Sequence, residues 1–165
     1  YYEINAGIGV HKSPELYGAF PTDPYSHTPA NRGAQQPGMT GQVKEDILSR
    51  FGEFGVFVNN GQLHFKPSLL KADEFLTEAQ TYNYINIHGE AKQILLNKNS
   101  LCFTYCQVPI IYEIAEANSL KIVQANGEVS EFDALNLDKA MSSEVFGRSG
   151  KVVEIRVGLR KGDLK

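Results

Sequence analysis

The chain has 165 residues, of which 42% are hydrophobic and 21% charged, with a formal net charge of −3. This length suits one domain of ordinary size, or one domain with a short lead-in. The acidic balance argues against a nucleic-acid surface, which is normally basic, and no apolar run approaches the roughly 20 residues that span a bilayer.

The chain opens at Tyr1 without an initiator Met, so it reads as a fragment or a mature product. No charged-then-apolar start resembles a signal peptide. That leans towards the cytoplasm without fixing the location. Residues 18–41, GAFPTDPYSHTPANRGAQQPGMTG, are dense in Pro, Gly, Asn, Gln and Thr. Loops longer than about 12–15 residues inside a compact domain are usually functional or disordered. This one carries Asp23, Tyr25, His27, Arg32, Gln35, Gln36 and Thr40, side chains able to hydrogen-bond a polyhydroxylated or anionic ligand. Plainer readings stand beside that one. Asp23-Pro24 and Thr28-Pro29 are turn signals. Arg32 can pair with Asp23 or Glu45 at the surface, where ion pairs are weak.

The loop feeds a predicted helix over 41–54. Val43, Ile47, Phe51 and Phe54 form one apolar stripe at i, i+4, i+8 and i+11. Thr40 fits an N-cap, with Gly41 at the helix start. Unpaired N–H groups and the dipole there favour an anion. Glu45 and Asp46 are adjacent, point about 100° apart and cannot flank one bond. They read as charges that complement the dipole.

After residue 55 the pattern changes to short β-type segments. A hairpin is predicted from 55–58, the turn Asn59-Asn60-Gly61, and 62–66, since Asn-Gly suits tight turns with positive φ. Further strands are predicted over 81–87, 92–96, 100–106, 110–115, 120–124, 128–132 and 151–159. Residues 133–141 read as a longer connection or a helical turn. Eight or nine short strands at near-regular spacing predict a mainly β fold, an antiparallel sandwich of jelly-roll type. The expected organisation is 1–54 as loop plus helix and 55–165 as the sandwich. Cys102 and Cys106, four apart on one strand, would lie about 13 Å apart, too far for a disulfide. They read as buried thiols. His64 and His88 read as structural or solvated. No metal-ligand cluster, P-loop, dinucleotide fingerprint or nucleophile elbow is present, so no metal or cofactor is expected.

A family pattern overlies residues 20–70. Arg32-Gly33-Ala34, Thr40-Gly41, the helix to Phe54, the turn Asn60-Gly61 and Leu63-His64-Phe65-Lys66-Pro67 follow one another in order. This order resembles the C-terminal region of the glycoside phosphorylases and hydrolases typified by cellobiose phosphorylase, which use an (α/α)6 barrel. The resemblance implies that the helix is the last of such a barrel and that a β-sandwich tail follows it. It also implies that the loop serves a carbohydrate site completed by upstream helices. The aromatic pair that precedes Thr-Gly in the family is replaced here by Gln36-Pro37-Gly38-Met39, and hydrolysis and phosphorolysis both stay open.

The expected function is therefore the C-terminal part of a carbohydrate-active enzyme. Asp23, Tyr25, His27, Arg32, Gln36, Thr40 and Gly41 would contact an oligosaccharide or sugar, with phosphate at the Thr40-Gly41 corner. The other partner would be the upstream helical barrel or a separate protein, with neither nucleic acid nor membrane. The alternatives are a non-catalytic carbohydrate-binding sandwich and an assembly domain whose loop packs on a partner.

Overall fold

The computed structural model describes the backbone from residue 39 to residue 165 and the side chains from Asp46 onward. Two units partition the chain, Tyr1–Arg50 and Phe51–Lys165. Helix α1 (Met39–Glu53) runs across that division. It begins two residues earlier than the apolar stripe implies, so Thr40 and Gly41 fall inside its first turn. Helical backbone does not wait for the first stripe residue, and helix ends are uncertain by one or two positions from pattern alone. Ile47 and Leu48, in the first unit, are 51% and 72% exposed.

The second unit is mainly β and sandwich-like. Its strands are β1 (Val56–Asn59), β2 (Gln62–Phe65), β3 (Gln80–Ile85), β4 (Ala91–Leu96) and β5 (Ser100–Tyr105), then β6 (Val108–Ala115), β7 (Ser119–Gln124), β8 (Val129–Phe132) and β9 (Val152–Arg160). All the strands expected from alternation and turn signals are present. The segment 133–141 leads into helix α2 (Lys139–Phe146), which Asp138 caps by accepting from the Met141 N–H at 2.7 Å.

The strands form two hairpins, β1–β2 and β3–β4, and a five-stranded sheet in the order β5-β6-β9-β7-β8. The hairpins and most neighbours are antiparallel, but β6 and β9 run parallel. The chain leaves β6, builds β7, β8 and α2, and returns to β6's flank as β9. Pro109 sits inside β6 without breaking a β9 ladder, because pairing with β9 starts only at Ile110.

Alternation gives the large sheet two different faces. The inner face carries Leu101, Phe103, Val108, Ile110, Tyr112, Leu120, Ile122, Ile155, Val157 and Leu159, all buried. The register places them side by side: Leu101 opposite Tyr112, Phe103 opposite Ile110, Tyr112 opposite Val157, Ile122 opposite Ile155. Leu63 and Phe65 of β2, Leu137 and Val145 join the same core. Phe65 meets Tyr112 edge-on at 6.2 Å between ring centroids.

Helix α1 ends in this core. Phe54 stacks on Phe103 at 4.3 Å, and Phe51 meets Phe103 and Tyr105 edge-on. The Tyr112 hydroxyl donates to the Phe54 carbonyl at 2.6 Å, so a sheet residue ties down the helix exit. Gly55 follows with φ of 65°. A Cβ there would lie 2.0 Å from the backbone carbon and oxygen of Lys66. Only glycine lets the helix turn this tightly onto β2, whose extension bonds back through Lys66 N–H to Gly55 C=O at 2.8 Å. On β2's other flank, Ser142 of α2 is fully buried and accepts from the Leu63 N–H at 3.0 Å.

Candidate functional site

Asp23, Tyr25, His27, Arg32 and Gln36 lie outside the described residues. Thr40 and Gly41 are placed only as backbone in the first turn of α1. The described structure therefore brings none of the expected ligand contacts together. What it does assemble is a polar site on the outer face of the large sheet.

Charged residues reach that face by alternation. Glu113 leaves β6, Glu154 and Arg156 leave β9, Lys121 leaves β7 and Glu131 leaves β8. Lys121 lies directly opposite Arg156 across the β7–β9 ladder. Like charges so placed repel, and each cation is neutralised by carboxylates. The Arg156 guanidinium donates from Nε to Glu154 at 2.6 Å and from Nη1 to Glu113 at 2.8 Å. Lys121 Nζ meets Glu131 at 2.7 Å, one strand further out. Partial burial opposes the charge on Arg156, but the hydrogen bonds and charges of Glu154 and Glu113 overcome this and hold its pKa above the ordinary value.

Between these side chains is a cleft of about 190 Å³, lined by Glu113, Ser119, Lys121, Glu131 and Arg156, with Leu120 and Gly158. Gly158 lies opposite both Glu113 and Ser119 in the register. A Cβ on it would stand 2.4 Å from the Ser119 hydroxyl oxygen, so any larger residue would displace the Ser119 side chain.

Towards β5 the outer face is covered. Ile111 is fully buried there and Cys102 half-buried. The rings of Tyr82 and Tyr84 on β3 lie 6.3 Å apart, inclined by 16°. Burial raises both phenol pKa values. The thiol of Cys102 adds to the shift in each, and Glu154 adds to that of Tyr84. Burial, aided by Glu154, pushes the Cys102 thiol up to about 12. Both cysteines are free, as the strand spacing required, although β5 ends at Tyr105 and Cys106 occupies the turn. Cys106 and Gln107 form that turn with φ of 50° and 65°. The Gln107 amide donates to the Asn86 carbonyl at 3.2 Å, linking the turn to the end of β3.

His64 stacks on Phe57 at 5.0 Å, and its Nε2 is buried without a hydrogen-bond partner. His88 sits in the Asn86–Glu90 turn, where Asn86 Oδ1 accepts from the backbone N–H of His88 and of Glu90. Among the described residues, no group of His, Cys, Asp and Glu side chains is arranged to hold a metal ion, and no helix is long and apolar enough to cross a membrane.

The outer-face residues carry a sequence signal in hindsight. Glu154 and Arg156 alternate with Val153, Ile155 and Val157, and Lys121 alternates with Leu120 and Ile122. Alternation assigns each charge to the polar side of its strand. It does not reveal which strands are neighbours, and so leaves the cleft invisible. A scan against protein-family models finds no match to the chain, and a search of curated proteins finds none.

Proposed function

We propose that the chain is the C-terminal part of a carbohydrate-active enzyme of the (α/α)6-barrel class, a glycoside hydrolase or phosphorylase. Helix α1 is the last helix of the barrel, and the unit from Phe51 onward is its β-sandwich tail. The observation that carries this reading is the division of α1's apolar side chains. Phe51 and Phe54 are built into the sheet core. Ile47 and Leu48, one turn earlier, are half or more exposed. A helix shared by a β layer and a helical layer has this form, because each layer covers only its own length of the helix. The order of motifs from Arg32 to Pro67 supports the same assignment.

In this reading the loop before α1 meets a sugar. Arg32 and His27 hold hydroxyl or phosphate oxygens. Asp23, Tyr25 and Gln36 fix the ring's orientation, and the first-turn amides at Thr40 and Gly41 receive an anion. The reacting carboxylates come from helices upstream of α1. Calorimetric titration of the chain with glucose, cellobiose and maltose, each with and without inorganic phosphate, tests the loop's part. The expected result is heat with at least one sugar, weakened about tenfold by Arg32→Ala, the scale of a hydrogen bond to a charged group. No heat with any of them would contradict the reading.

A further inference from the structure

Two turns carry the dipeptide Asn-Gly: Asn60-Gly61 between β1 and β2, and Asn126-Gly127 between β7 and β8. The same dipeptide is open to a spontaneous reaction, because glycine puts no side chain in the way of attack by its own backbone nitrogen. We propose that Asn60 is a site of spontaneous deamidation, with water as the only co-reactant, and that the isoaspartate product loosens β1 from β2. This inference does not depend on the role of the loop before α1.

In the first step the Gly61 backbone nitrogen attacks the Asn60 side-chain carbonyl carbon and forms a new C–N bond. The bond from that carbon to the side-chain nitrogen breaks. The nitrogen leaves as ammonia, taking the proton of the Gly61 amide. A five-membered cyclic imide results. Water then opens it at either carbonyl carbon. Opening at the side-chain carbonyl leaves aspartate on an ordinary backbone. Opening at the main-chain carbonyl leaves isoaspartate, whose backbone runs through the side-chain carbon and is one atom longer. Nothing is oxidised or reduced.

The fold distinguishes the two sites. At the second turn the Gly127 N–H donates to the Gln124 carbonyl at 2.9 Å. Asn126 Oδ1 accepts from the Glu128 N–H at 3.0 Å, and Nδ2 donates to the Glu128 carboxylate at 3.4 Å. The attacking nitrogen and the attacked amide are both engaged elsewhere. At the first turn, no hydrogen bond among the described residues engages the Gly61 N–H or the Asn60 side chain. Both residues are exposed, and the space a Gly61 Cβ would meet is open. Asn60 and Gly61 hold φ of 50° and 76°, as a two-residue hairpin turn requires. The ladder resumes at the pair Asn59 and Gln62, which leaves the Gly61 nitrogen outside it.

The consequence follows from how the two strands are held. β2 has partners on its far flank. The Leu63 N–H donates to Ser142 Oγ at 3.0 Å, and the Phe65 N–H to the Leu135 carbonyl at 2.9 Å. Leu63 and Phe65 are also buried. β1 pairs only with β2, and its Phe57 and Val58 are exposed. Loop length fixes turn type and register in a hairpin. One added backbone atom therefore loosens β1 and leaves β2 in place.

Peptide mapping by mass spectrometry of the full chain, incubated in mildly alkaline buffer with and without urea, tests the reactivity. In the native protein Asn60 should convert at least about fivefold faster than Asn126, the scale of one hydrogen bond that must first open. In urea, where both turns are lost, the two rates should converge. A native ratio of one or below would overturn the proposal. So would the same ratio in urea, since sequence and not fold would then set it. Hydrogen exchange on the purified isoaspartate form tests the consequence. Exchange over Val56–Asn59 should rise about fivefold or more against fresh protein, with Leu63 and Phe65 unchanged. Unchanged exchange over β1 would overturn the proposal. Asn60→Gly keeps a dipeptide that suits the turn and has no amide to lose, so its β1 exchange should stay constant through the same incubation. An equal rise in that variant would assign the loosening to another change and overturn the proposal.

Discussion

The two faces of the five-stranded sheet are made by the same strands and the same alternation, yet they are finished in different ways. The inner face meets α2, β2 and the end of α1, and it is closed by aromatic and aliphatic packing with Tyr112 at its centre. The outer face is closed only near β5. Over β9, β7 and β8 it carries Arg156, Lys121 and their carboxylates around a cleft. Side chains on the inner face therefore act mainly on stability. On the outer face this holds only towards β5, where Ile111 is buried; Lys121 and Glu131 of β7 and β8 are exposed and contribute less.

That contrast can be broken by substitution. On the inner face, Phe103→Ala removes a ring stacked on Phe54 and edge-on to Tyr112, and should cost about 3–5 kcal/mol in urea denaturation. A loss below about 1 kcal/mol would mean that the inner face is not the packed core described. Gly55→Ala forces a Cβ into the Lys66 backbone at a positive φ, and should cost about 2–4 kcal/mol. An unchanged urea midpoint would refute the close approach of α1's exit to β2. Tyr112→Phe removes only the bond to the Phe54 carbonyl, and a loss of about 1 kcal/mol is expected. On the outer face, Lys121→Ala should change stability by no more than about 0.5 kcal/mol, because its pair with Glu131 is exposed. A larger loss would make the charged face structural.

The contrast extends to Cys102, at the covered end of the outer face. Its thiol is pushed up to about 12 from an ordinary value near 9. At pH 8 its thiolate fraction is about a thousandfold below that of an unperturbed thiol, so iodoacetamide should leave it unmodified in the native protein and alkylate it in urea. The neutral thiol is favoured by the fold. Its stabilisation is complete below about pH 9 and is lost as pH rises from about 9 towards 12. The melting temperature of the native sequence should therefore fall more steeply above pH 9 than that of Cys102→Ala. Equal slopes would remove the role given to burial.

Much of this architecture is readable along the chain because its signals are local. Asn60-Gly61 and Asn126-Gly127 announce turns, and the β9 run KVVEIRVGL declares its two sides by alternation. Helix α2 was harder to see, since KAMSSEVF is short and its two serines favour caps and turns over helix interiors. One of them, Ser142, is buried because Leu63's N–H needs an acceptor, a demand set 79 residues away. The parallel β6–β9 pairing was not legible at all, because it depends on which strands meet after an intervening excursion. The cleft fails for the same reason. Glu113 and Arg156 lie 43 residues apart, and no spacing rule joins them. The loop's candidate residues came from composition and motif order, and those from Asp23 to Gln36 fall outside the described part of the chain.

The proposed function rests on the segment ahead of α1 meeting a carbohydrate. A crystal structure of the chain grown with a disaccharide tests it most directly. Sugar oxygens are expected within hydrogen-bonding distance of His27, Arg32 or Gln36. Finding those three side chains packed against the sandwich, with no cavity before them and no sugar bound there, would contradict it.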